Sequence, residues 1–163
     1  MPYKTNAAKA RAYKRGYMPI KTTKALTSKG VRMMMDAGIS RARELGIPVT
    51  IAIVDAGGHL LMLERMEGGR FHTVHSATTK AVSAASNKRP TSSAGAQGQS
   101  LDVLHALGLV LAAGPQNWTP IGGGYPVLVD EECIGGIGVA GGDQKQDEEI
   151  ARVALQSIGA NWE

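Results

Sequence analysis

The feature that most constrains this chain of 163 residues is where its glycines fall. Gly122, Gly123 and Gly124 lead into Tyr-Pro-Val-Leu-Val, and a second run reads Ile134-Gly-Gly-Ile-Gly-Val-Ala-Gly-Gly. Both runs are strand-like, with a turn at Asp130-Glu-Glu between them, so they predict a hairpin of strands over 125–129 and 133–140. Glycine weakens a strand and offers no side chain to pack, so its repetition inside one marks a close approach by a helix or a flat ligand. A Gly-x-Gly-x-x-Gly count starting at Gly136 is satisfied, but within a strand. Phosphate cradling needs the glycines between a strand and a helix start. No Gly-Lys-Ser/Thr occurs either, which excludes a nucleotide loop of that kind.

The rest of the chain supplies layers for that hairpin. Leu26, Val31, Met34, Met35, Ile39 and Leu45 recur near helical spacing and stop before Gly46, with Thr27 or Ser28 as the cap. The β-branched run over 49–55 and the run over 59–66 flank Gly57-Gly58, a hairpin signal. Residues 71–88 are rich in Ala, Ser and Thr and end at Arg89-Pro90. They predict a second helix with a small-residue face. Residues 91–100 read as a loop, and the apolar segment 103–113 as a helical turn leading into a short strand. A last helix spans 147–158, with Ile150, Val153, Ala154 and Ile158 facing inward and Asp143 and Asp147 as capping residues at its start. Hairpin links in place of crossovers predict an α+β fold with helices on an antiparallel sheet.

Charge divides the chain unevenly. Residues 1–24 hold seven lysines and arginines and no acid, so the formal net charge of +4 leaves −3 for the remainder. We read 1–22 as a basic arm and 23–163 as one domain, the arm suiting a neighbouring subunit or solvent better than nucleic acid. Phe71 is the only phenylalanine and Trp118 and Trp162 the only tryptophans, which leaves few platforms for base stacking. Cys133 is the single cysteine, so no intramolecular disulfide forms, and Glu131 and Glu132 beside it disfavour a reactive thiolate. The start Met-Pro-Tyr-Lys carries no signal-like apolar core and no run approaches membrane-span length. A cytoplasmic location without membrane contact is the expectation.

Chemistry concentrates on the second helix. His72 and His75 lie three apart, a spacing that places both on one helical face, where they serve either as structural side chains or as ligands to haem iron or acid–base groups. No Asp, Glu or Cys completes a zinc cluster near them. Arg65 ends a strand and Lys80 lies one turn beyond the histidines, so either both meet an anionic ligand or both face water. His59 and His105 read as structural, and no Gly-x-Ser-x-Gly elbow supports serine hydrolysis.

Several of these motifs, taken in order, resemble the haem-degrading domain family. They are Val49-Thr-Ile-Ala-Ile-Val-Asp-Ala-Gly-Gly-His-Leu-Leu with Arg65-Met66, then Thr79-Lys-Ala-Val-Ser-Ala-Ala, Gly122-Gly-Gly-Tyr-Pro-Val, and the second glycine run with Gln146-Asp147. The resemblance spans about 23–159. It implies profilin-like α/β/α layering with a five-stranded antiparallel sheet, homo-oligomers, and binding of haem or a corrinoid-linked small molecule. It also implies ligand-binding roles for Lys80, Gly122, Gly123, Gly124, Gly138 and Asp147. His72 and His75 stand outside the family pattern, as does the basic arm. The leading expectation is a homo-oligomer that binds a small anionic or tetrapyrrole ligand near Arg65, His72, His75 and Lys80, with haem as the possible cofactor. The alternatives are an isomerase, tautomerase or lyase acting on a small carboxylated intermediate through a histidine, and an accessory or structural subunit that uses its arm.

Overall fold

The computed structural model describes residues 20–162. Its elements are helix α1 (Ser28–Leu45), strands β1 (Thr50–Asp55) and β2 (Leu60–Arg65), helices α2 (Thr73–Asn87) and α3 (Val103–Ala113), strands β3 (Gly124–Val129) and β4 (Glu132–Ala140), and helix α4 (Gln144–Gln156). The strands form one antiparallel sheet in the order β2-β1-β4-β3. Residues 1–19 of the predicted basic arm lie outside the described residues. At the arm's inner end Lys21 pairs with Glu132, and just beyond the arm Lys24 pairs with Asp130, both at the β3–β4 turn.

The two faces of the sheet are built from different side chains. Ile51 and Ile53 of β1, Val127 of β3 and Ile137 and Val139 of β4 meet α1 and α4, forming a bulky core with Met34, Met35, Ile39, Ile150 and Leu155. The opposite face carries Ala52, Val54 and Ala140 against Ala77, Ala81 and Ala85 of α2. Gly136 and Gly138 lie on that second face. A Cβ on Gly136 would stand 2.3 Å from the Ala81 carbonyl oxygen, and one on Gly138 only 2.0 Å from that of Ala77. The strand glycines thus let a helix backbone lie directly on a sheet backbone, and the small-residue face of α2 is its complement. The result is an α/β/α sandwich with one thick and one thin interface.

Local chemistry fixes the element ends. The Thr27 side chain caps α1 by accepting from Gly30 N–H, and Gly46 closes the helix in the left-handed conformation (φ 70°). Asp143 caps α4 in a capping box with Gln146, so α4 starts three residues earlier than the sequence predicts. Asp147 is therefore released from the expected capping role. Two further expectations are corrected. Among the described residues the sheet has four strands, not five. The segment 103–113, read as a turn leading into a strand, is one continuous helix, because Asp102 accepts from His105 N–H and caps a run of leucine and alanine, which favour helix.

Candidate functional site

Lys80 and Asp147 meet inside the protein. The Lys80 ammonium donates to the Val139 carbonyl at 2.7 Å and to Asp147 Oδ2 at 2.9 Å, while Asp147 Oδ1 accepts from Gly142 N–H at 2.9 Å. The two side chains are only 6% and 5% exposed. One ion pair thereby ties α2, the end of β4 and the start of α4 together. Gly123 completes the arrangement. Its φ of 103° is a conformation that favours glycine, and a Cβ there would crowd Lys80 Nζ, Asp147 and the Val139 oxygen, each at 2.9 Å. Gly124 lies against the backbone at Lys80, and its N–H is received by Thr91 Oγ1 at 2.9 Å. Of the residues expected in the site, Lys80, Asp147, Gly123, Gly124 and Gly138 are brought together here. Gly122 packs under Gln144 and Glu148 of α4.

A cleft of about 380 Å³ with Lys80 in its lining opens between α2 and the end of α3 with the segment that follows it. His75, Thr79 and Lys80 form one wall and Val110, Trp118 and Ile121 the other. Thr119 N–H donates to the buried Ser83 hydroxyl at 3.3 Å, fastening the second wall to α2. His75 is exposed at the cleft. His72 occupies the position just before α2, with its ring edge-on to exposed Phe71 at a centroid distance of 6.0 Å, and does not line the cleft. Arg65 is exposed at the end of edge strand β2, where it pairs in register with Thr50. The cationic and imidazole groups proposed to converge thus separate into Lys80 and His75 at the cleft, and His72 and Arg65 outside it. Among the described residues neither the His72 nor the His75 imidazole has a hydrogen-bond partner, and no cluster of three His, Cys, Asp or Glu side chains is placed to hold a metal ion.

Trp118, Thr79 and Ile121 were not anticipated as lining residues. The available signal was the position of Trp118, one of two tryptophans, between Pro115 and Pro120 in a segment otherwise without regular structure. A second opening, of about 480 Å³, lies between the β1–β2 turn and the other end of α2, lined by Gly58, Val82, Asn87, Asn117 and Trp118. At that turn the Asp55 carboxylate accepts from the N–H groups of Gly57 and His59 and faces the His59 imidazole. The bond from His59 N–H is the main reason that Asp55 is held below the ordinary carboxylate range.

Residues 26–156 match the family described as haem degrading protein HbpS-like. The chain belongs to that family. It is 30% identical over 130 residues to an uncharacterized 15.0 kDa protein from the dhaT-dhaS intergenic region of Citrobacter freundii, covering 80% of this chain and 89% of that one. It is 31% identical over 137 residues to the corrinoid adenosyltransferase PduO of Salmonella typhimurium, covering 84% of this chain but only 40% of PduO. It is also 30% identical over 121 residues to protein GlcG of Escherichia coli K12, covering 74% of this chain and 85% of GlcG. Among solved structures, the Klebsiella pneumoniae protein ORFY superimposes with a TM-score of 0.77 at 33% identity, covering 88% of this chain and 97% of that one. The crystal structure of a PduOC:heme complex superimposes with a TM-score of 0.74 at 29% identity, covering 85% and 99%. The expected family is therefore the family found, and no helix among the described residues is long and apolar enough to cross a membrane.

Proposed function

We propose that this member of the HbpS-like family is a homo-oligomeric binding protein that takes a small, largely apolar ligand of the haem type in the cleft over α2, where His75 would hold the iron. The observation that carries the reading is an exposed imidazole with no hydrogen-bond partner beside Trp118, Ile121 and Val110, in a cleft of ligand size. Neutral imidazole is a common haem ligand, and an apolar wall suits the porphyrin face. The fold's likeness to a PduOC:heme complex supports the same reading. Lys80 lies at the base of the cleft with its charge opposed by Asp147, so the pair shapes the floor more than it attracts an anion.

Titration of the purified protein with haemin, followed by absorbance in the Soret region, tests this. A saturable red-shifted band is expected, weakened at least tenfold by His75→Ala and unchanged by His72→Ala. Absence of a saturable band would overturn the haem reading, and equal binding by His75→Ala would remove His75 from it. The acid–base alternative requires one of His72 and His75 beside a cation, Arg65 or Lys80, that is free to clamp a carboxylate, and Lys80 is already paired with Asp147. Arg65 lies outside the cleft that His75 lines, so among the described residues no free cation lines the cleft beside that imidazole and the geometry favours binding over catalysis.

A further inference from the structure

Helix α3 is out of keeping with the rest of the molecule. Its sequence, Val-Leu-His-Ala-Leu-Gly-Leu-Val-Leu-Ala-Ala, contains no Asp, Glu, Lys or Arg and, His105 apart, is apolar all round. Such a helix belongs in an interior. Yet none of its residues is buried, and its Cα atoms come within 8 Å of no other helix or strand among the described residues. Val103, Leu104, Leu107, Leu109 and Leu111 are 85%, 80%, 51%, 36% and 71% exposed. An eleven-residue helix is marginal in water without packing to support it.

Together these five residues expose on the order of 600 Å² round the helix, and Leu104, Leu107 and Leu111, which share one face, supply roughly 400 Å² of it, within the range of the largest patch usual on a monomer. With exposed Ile121, which lines the same cleft as Val110 of α3, that face supplies more than half of the roughly 800 Å² that each partner contributes to a standard protein interface. The chemistry selects the occupant. The same helix on a second copy supplies an equally apolar, uncharged counterpart at equal concentration, and a two-fold axis pairs a patch with itself. At eleven residues the helix is also too short to span a bilayer.

We infer that α3 is the self-association surface of this protein, each copy laying the Leu104, Leu107 and Leu111 stripe of α3 against a second copy, so that the seam runs beside the α2 cleft. Val110 of α3 lines that cleft, which places the joint at the cleft's outer wall. The inference rests on the homo-oligomer reading above and assigns its surface.

Light scattering after size exclusion tests it on the full chain and on two double variants, Leu104→Lys/Leu111→Lys in α3 and Leu60→Lys/Leu61→Lys on exposed edge strand β2. Wild type and the β2 variant are expected to run as oligomers, and the α3 variant at half that mass or less. A monomeric wild type would overturn the oligomer reading itself. An oligomeric wild type with an equally oligomeric α3 variant would spare that reading and overturn the assignment to α3. Amide hydrogen exchange on wild type avoids any folding defect of the variant. Protection across 103–113 is expected to rise at least tenfold with protein concentration, and rapid exchange there at every concentration would overturn the inference. Concentration-independent protection gained only on mixing with neutral phosphatidylcholine vesicles would assign the helix to lipid and would also overturn it.

Discussion

Gly138→Ala adds one methyl group at the tightest point of the fold. The new Cβ would lie 2.0 Å from the Ala77 carbonyl oxygen, 2.6 Å from the Ala81 nitrogen and 2.9 Å from Lys80 Cβ. The first two are backbone atoms of a helix and cannot rotate aside. A close carbon–oxygen contact is roughly 3.3 Å, so α2 must retreat from β4 by about 1 Å. Overpacking alone costs about 1–3 kcal/mol. Here the retreat also lengthens the Lys80 bonds to Val139 and Asp147, which cross the same interface at 2.7 and 2.9 Å. Weakening a buried pair adds to the cost, its complete loss by removal of one partner being worth about 3–5 kcal/mol. We therefore expect Gly138→Ala to destabilise the protein by at least about 3 kcal/mol. Urea unfolding followed by circular dichroism reads this as a lowered midpoint at unchanged slope. Gly108→Ala in α3 is the control, because a Cβ there meets nothing within 4 Å. It should be neutral or stabilising by up to about 1 kcal/mol. A cost below about 1 kcal/mol for Gly138→Ala would refute the account of glycine as a requirement for backbone contact.

Lys80→Met should cost about 3–5 kcal/mol by stranding the Asp147 carboxylate, whereas Lys80→Met/Asp147→Leu should recover most of that loss, as judged by denaturant midpoints. Glu131 adopts φ 63° in the β3–β4 turn, so Glu131→Gly should raise stability by about 1 kcal/mol in a thermal melt. Asp55 is more acidic in the folded protein than in the unfolded chain, chiefly through the bond from His59 N–H. Its contribution is therefore complete above the ordinary carboxylate pKa and lost as pH falls through the depressed folded value. Asp55→Asn should flatten the fall of stability with pH below about pH 4, and an unchanged acid limb would count against it.

The periodicities over 26–45 and 147–158, the Gly57-Gly58 link and the glycine hairpin are local signals, and each became the expected element because neighbouring residues decide it. Even the close approach to the strand glycines was readable, since a residue without a side chain inside a strand has few other uses. Asp147 and Lys80 were singled out, but 67 residues separate them. Their pairing follows from the stacking of α2 on β4 and the entry of α4, which no local pattern encodes. The fate of 103–113 was also undecided in one dimension, because an uninterrupted apolar run fits a buried strand or a buried helix equally well.

Taken alone, the order of residues determined the α+β class, the family resemblance and the thin glycine–alanine interface, all of which depend on spacing of a few residues. Only the tertiary structure separated His75 from His72 and Arg65, placed Trp118 across from Lys80, and left α3 unpacked against any other helix or strand among the described residues. Those outcomes depend on distances between segments far apart in sequence, and on surface that the described helices and strands leave uncovered.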